Sequence, residues 1–143
     1  MTGEFSEIPL VDLSPRMAST SARAELAENL REICHTIGFF IAINHGVDNK
    51  VVDSVFDTSR RFFDLPLEKK QLIDKRNSRH FRGWEAVGTE LTNNRPDIRE
   101  QIDLWSEHPP RAKDVTPEYL RLLGPNQWLD DDVLPGFKGN LTR

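Results

Sequence analysis

GFFIAINHGV, residues 38–47, limits the fold more than any other stretch of the chain. Residues 39–44 are dense in β-formers and too few for a helix of their own. Alternation puts Phe39, Ile41 and Ile43 on one face of a strand and Phe40, Ala42 and Asn44 on the other. Both faces are mostly apolar, so the strand is expected to be buried on both sides. Asn44-His45-Gly46 then makes a turn. A helix leads into this strand. Leu26, Leu30, Ile33 and Ile37 recur at helical spacing, which predicts a helix over 21–37, capped by Ser19, Thr20 or Ser21 and ended by Gly38. Ala27 and Cys34 widen its stripe, making Cys34 a small core residue rather than a nucleophile. Upstream, IPLVDLS (8–14) alternates and closes at Ser14-Pro15, the signature of a short strand.

Downstream, Asp48 is an N-cap candidate for a helix over 49–64. Val52, Val55, Phe56, Ser59 and Phe63 form its stripe, with Phe62 at the edge. Pro66 stops that helix and opens a short one in PLEKKQLI. Residues 76–108 break into strand-like pieces, HFRGWEAVG and REQIDLWSE. Thr116-Pro117 reads as a capped helix start and Gly124 as its stop, and the remainder is turn-rich. The expected fold class is α+β, in one domain spanning 1–143.

The 143 residues carry a net charge of −4, with the single cysteine Cys34. One cysteine excludes an internal disulfide and fits a reducing compartment, so a cytoplasmic location is expected. No run of apolar residues is long enough for a membrane span, and MTGEFSEIPLVDLS has neither a basic nor a long apolar leader segment. Residues 60–82 hold eight basic and three acidic side chains, whereas 83–132 hold five and eleven. With an acidic chain overall, the basic stretch reads as a solvated face, and no nucleic-acid partner is expected.

No nucleotide loop, nucleophile elbow or His-x-Asp pair occurs. Glu32-x-x-His35 is half of a di-iron carboxylate pattern, but it lies opposite the apolar stripe and has no second half. His45 reads as a turn residue. Asp97, Glu100, Asp103 and Glu107 supply carboxylates for acid–base work, yet along one strand Asp97, Asp103 and Glu107 would stand about 13 to 20 Å apart, too wide for a pair. No catalytic, cofactor-binding or metal-ligating residue is therefore assigned within the chain.

The order of segments says more. IPLVDLS, a helix, GFFIAINHGV, a helix, RRFFDLPLEKK, RGWEAVGTE, RPDIREQIDLW and GPNQW…LPGF resemble the N-terminal region of the isopenicillin N synthase-like oxygenases over residues 7–138. Leu129 stands where that family usually has Pro, and Trp84 where Tyr or Phe is commoner. The resemblance implies helices and short strands that flank a double-stranded β-helix, the barrel itself being absent or incomplete here. It implies Fe(II) and 2-oxoglutarate for the intact family, held by a His-x-Asp, a distant His and an Arg-x-Ser in the C-terminal part. Arg76-Asn77-Ser78 lies in the wrong segment for that clamp. Arg82 and Trp84 are implied as substrate-facing, and the implied partner is the C-terminal β-helix domain.

The resulting expectation is a scaffold and substrate-entrance module of an iron(II)/2-oxoglutarate-dependent oxygenase, a fragment not catalytically competent alone. An alternative is a stand-alone protein-interaction module that reuses the scaffold. If the chain is such a fragment, its uncovered apolar face predicts self-association.

Overall fold

A computed structural model describes residues 7–142, a mixed helix-and-sheet fold without a closed barrel. The leader reading therefore begins on residues outside those described. The chain divides after Asp48 into two compact units.

In the first unit, β1 (Leu10–Asp12) and β2 (Ile41–Ile43) pair in parallel, with Leu10 opposite Ile41 and Asp12 opposite Ile43. Parallel pairing requires a crossover, supplied here by α1 (Thr20–Thr36). The Ser19 hydroxyl accepts the Ala22 amide at its start, and the Gly38 amide donates to the Ile33 carbonyl at its end, with Gly38 at φ 96°. Leu26, Leu30, Ile33 and Ile37 are half-buried, as their spacing predicts. Two expectations fail. Cys34 is exposed, because only the centre of the stripe is covered. The strand 39–44 is not buried on both sides: Val11 is buried and Ala42 half-buried on one face of the pair, while Leu10 (65% exposed) and Ile41 (48%) lie open on the other. Within the first unit that second face has no cover that buries it.

Arg16 ties the two strand ends together. Its guanidinium donates to the carbonyls of Leu13, Asn44 and His45. Gly46, at φ 80°, lies so close that a Cβ there would sit 2.7 Å from Arg16 Nη2.

The second unit begins with α2 (Asn49–Phe63) and α3 (Leu67–Lys70), the latter opened by Pro66. The antiparallel pair β3 (Gly83–Glu85) and β6 (Gln101–Asp103) forms its centre. Between them β4 (Leu91–Thr92) and β5 (Arg95–Pro96) make a hairpin across Asn93-Asn94, both at positive φ. Residues 118–122 form a short 3-10 helix rather than a capped α-helix, and no side chain caps it. The last element is α4 (Phe137–Leu141).

Phe62, Ile73, Trp84, Leu129, Leu134 and Phe137 make the core. Phe62 and Phe137 stack at 5.2 Å, and Trp128 meets Phe137 edge-on at 5.6 Å. The α2 stripe is therefore centred on Thr58 and Phe62, not on Phe56, which is exposed. Buried Thr58 is usable there because its hydroxyl accepts from Asn140 Nδ2 at 3.0 Å. Leu129, in place of the more usual proline, fills part of this core.

Replacing Phe62 or Phe137 by Ala should each cost about 3–5 kcal/mol by loss of burial and a residual cavity. Because the rings touch, the double variant should cost less than the two single losses combined. Urea unfolding of the three variants measures this.

Candidate functional site

An open groove of about 600 Å³ runs over β6 and the loop before β3 in the second unit, lined by residues that include Lys75, Phe81, Arg82, Arg99, Asp103 and Trp105. That volume is in the usual range for a small-molecule site.

The loop into β3 is held by polar side chains that grip backbone carbonyls. Arg82 Nη1 donates to the carbonyls of His80 (2.7 Å) and Phe81 (3.2 Å), and Nη2 to that of Leu122 (2.9 Å). Gln127 Nε2 reaches the carbonyls of Asp74 and Arg82. Gly83, at φ 120°, lies under that amide, and a Cβ there would be 2.2 Å from the Ile73 carbonyl oxygen. Asn126 does the same for the opposite wall: its side chain accepts from the Trp105 amide and donates to the Trp105 carbonyl. The Asn-Gln-Trp stretch thus pins both sides of the groove.

Charge in the groove is organised by Lys75. Its ammonium meets Glu85 at 2.7 Å and Asp103 at 2.6 Å, and it lies 4.4 Å from the centre of the Phe81 ring. Burial pulls the Lys75 ammonium down, but hydrogen bonds to Asp103 and Glu85 outweigh it and hold its pKa above the usual lysine value. The Lys75 ammonium in turn holds the Glu85 carboxyl below the ordinary glutamate range, against the opposing effect of burial. Arg99 pairs with Glu90 and, more distantly, Asp97.

Of the residues the resemblance singles out, Arg82 is in the groove wall and 8% exposed. Trp84 is 2% exposed and belongs to the core, with its indole N–H on Glu100 at 2.6 Å. The same Glu100 holds Lys70. The other acidic candidates are also committed: Asp103 to Lys75, Asp97 to Thr92, and Glu107 to Trp128 and the Asn126 amide. Lys75, Trp105, Asn126 and Gln127 were not marked by any pattern in the sequence. Trp105 lies in the segment RPDIREQIDLW and Asn126 and Gln127 in GPNQW, segments that carry the resemblance without assigning these residues a role, and Lys75 lies in none of them.

The residues present do not fit an iron site. His35 is exposed, His45 Nδ1 accepts the Val47 amide, and His80 Nδ1 lies 2.6 Å from the Arg121 carbonyl oxygen. Among the described residues no three His, Cys, Asp or Glu side chains stand together as ligands of an ion. Nor do Arg76 and Ser78 fit a 2-oxoglutarate clamp. Arg76 is bidentate on Asp74, and the Ser78 hydroxyl accepts the amides of His80 and Arg82.

The profile of the family described as non-haem dioxygenase in morphine synthesis N-terminal matches residues 8–131. The 2-oxoglutarate-dependent dioxygenase frbJ of Dothideomycetidae sp. is 37% identical over 134 residues, which cover 94% of this chain and 35% of that protein. A homoarginine-6-hydroxylase of Arabidopsis thaliana is 30% identical over 151 residues, covering 85% and 46%. A full-length Neurospora crassa protein solved in complex with alpha-KG is similar at a TM-score of 0.67 and 27% identity, over 94% of this chain and 41% of that one. The chain thus spans less than half the length of these relatives. No helix of the described residues is long and apolar enough to cross a membrane.

The Lys75 cluster predicts a pH window of stability. Glu85, with its pKa lowered, stabilises above the ordinary glutamate pKa and ceases to as pH falls through the lowered value. Lys75, with its pKa raised, stabilises below the ordinary lysine pKa and ceases to as pH rises through the raised value. Lys75→Met should therefore melt lower than the native chain at neutral pH, and the gap should narrow below about pH 4 and above about pH 10.5. Thermal midpoints across that range give the answer.

Proposed function

The chain belongs to the family of non-haem dioxygenase N-terminal regions, and from that membership we propose that it is the scaffold and substrate-entrance part of an iron(II)- and 2-oxoglutarate-dependent oxygenase, unable to oxidise a substrate alone. The observation that carries this reading is the open apolar face of the β1–β2 pair, where Leu10, Ile41 and Ile43 are exposed. Parallel strands are ordinarily covered on both faces. A C-terminal β-helix domain is the cover this face takes, and that domain holds the iron and the 2-oxoglutarate. The chain's share of its relatives, less than half of each, supports the same division.

Within this part the groove of the second unit serves as the entrance. Arg82, in its wall, is the substrate-facing residue. Trp84 acts through it as a positioning residue, since its ring anchors β3 in the core.

Supplied with Fe(II) and 2-oxoglutarate, the purified chain should show no coupled oxygen uptake in an oxygen electrode. Stoichiometric iron together with such uptake contradicts the reading. In light scattering the chain should self-associate through the open face. Ile41→Lys should shift it toward monomer while changing stability by no more than about 0.5 kcal/mol. A monomeric, cooperatively melting native chain favours the other reading, a stand-alone interaction module.

A further inference from the structure

Arg82 is nine-tenths buried, yet no carboxylate of the described residues lies within 4.0 Å of it. A buried charge without an opposite charge is costly, and proteins rarely keep one without a use. Its bonds leave donors over. Nη1 gives its hydrogens to His80 and Phe81, and Nη2 gives one to Leu122. The second Nη2 hydrogen remains, and Nε is a buried atom with no partner. The other two cations of the groove differ. Lys75 is held between Glu85 and Asp103, and Arg99 by Glu90 and Asp97. The groove's own acids, Glu90 and Asp103, are thereby committed, which leaves the Arg82 charge as the one they do not answer.

The walls beside it are aromatic. The Arg82 guanidinium carbon lies 5.9 Å from the centre of the Trp105 ring, and Trp105 is 64% exposed. Phe81, also exposed, is held at φ 61°, a conformation bulky residues seldom adopt. Arg82 itself fixes that conformation through the Phe81 carbonyl. Strain of this kind, in a residue that displays a ring into a cavity, points to use of the ring.

We propose that this groove binds a small planar carboxylate, with its anion on Arg82 and its ring against Trp105 and Phe81. The proposal rests on the entrance reading and names the substrate class of that entrance. A guanidinium prefers a carboxylate for its charge-assisted bonds, and exposed aromatic walls select a flat, apolar body over an aliphatic one.

Titrations of the full chain with benzoate, benzamide and 2-oxoglutarate, followed by ¹H–¹⁵N spectra, test it. Benzoate should shift the Arg82 Nε–H and Trp105 indole N–H signals and bind about tenfold or more tighter than uncharged benzamide. It should also bind tighter than 2-oxoglutarate, which carries two carboxylates but no ring. Arg82→Gln should remove the difference between benzoate and benzamide. Should that variant fail to fold, Trp105→Ala, at an exposed side chain, should weaken benzoate severalfold with an unchanged melting midpoint. Equal binding of benzoate and benzamide overturns the proposal, as does stronger binding of 2-oxoglutarate or the absence of shifts at Arg82 and Trp105. Benzoate selectivity alongside 2-oxoglutarate-coupled oxygen uptake by the chain alone would overturn the entrance reading but not the site. No selectivity with no uptake would do the reverse.

Discussion

A parallel pair of strands has two faces to cover, and the first unit of this chain covers one. The crossover that forces parallel pairing is α1, 17 residues long, and its half-buried stripe is not matched by cover on the other side of the sheet. Burying what remains exposed of Leu10, Ile41 and Ile43 would gain about 1 kcal/mol each, a fraction of the roughly 1.5–3 kcal/mol for full burial. A chain that leaves such side chains open on adjacent strands is shaped for something that closes over them. The proposed function rests on this geometry: it assigns the closing surface to the domain that would hold the iron and the 2-oxoglutarate.

The second unit solves a different problem. Its strands are two or three residues long, so regular ladders satisfy few backbone groups. Side-chain amides and guanidinia do much of the rest: Arg82 and Gln127 grip one wall of the groove and Asn126 the other. Such bonds define position more sharply than they add stability. The groove is correspondingly a fixed shape over a small aromatic core, with Trp84 belonging to the core and Arg82, two residues earlier, to the wall.

Much of the first unit was legible in the sequence. Period-3.6 spacing located α1 to within a residue at each end, and Gly38 marked its stop. What could not be read there was burial. The two-faced apolar strand implies cover, but cover from outside the chain leaves the same pattern as cover from within. Cys34 was misplaced because only the centre of the α1 stripe is covered, which the spacing of apolar residues does not reveal. In α2 the error was chemical: hydrophobicity selects Phe56, whereas the α4 contact runs through Thr58, whose hydroxyl needs Asn140, 82 residues away. The Asn93-Asn94 turn carried a hairpin signal, two residues suited to positive φ, that went unread. The groove was nearly invisible. Lys75, Arg82, Trp105 and Gln127 are ordinary residues until β3 and β6 pair and bring them together, and only the resemblance in RGW pointed to Arg82.

Hydrogen exchange on the chain by itself tests the central claim most directly. The Ile41 amide donates to Pro9 and the Leu13 amide to Ile43 across the β1–β2 pair. With one face of that pair uncovered, these amides should exchange orders of magnitude faster than those around Thr58 and Phe62 in α2. Protection of Ile41 and Leu13 equal to that of the α2 core would mean that the sheet is complete as it stands, and that nothing is required to cover it.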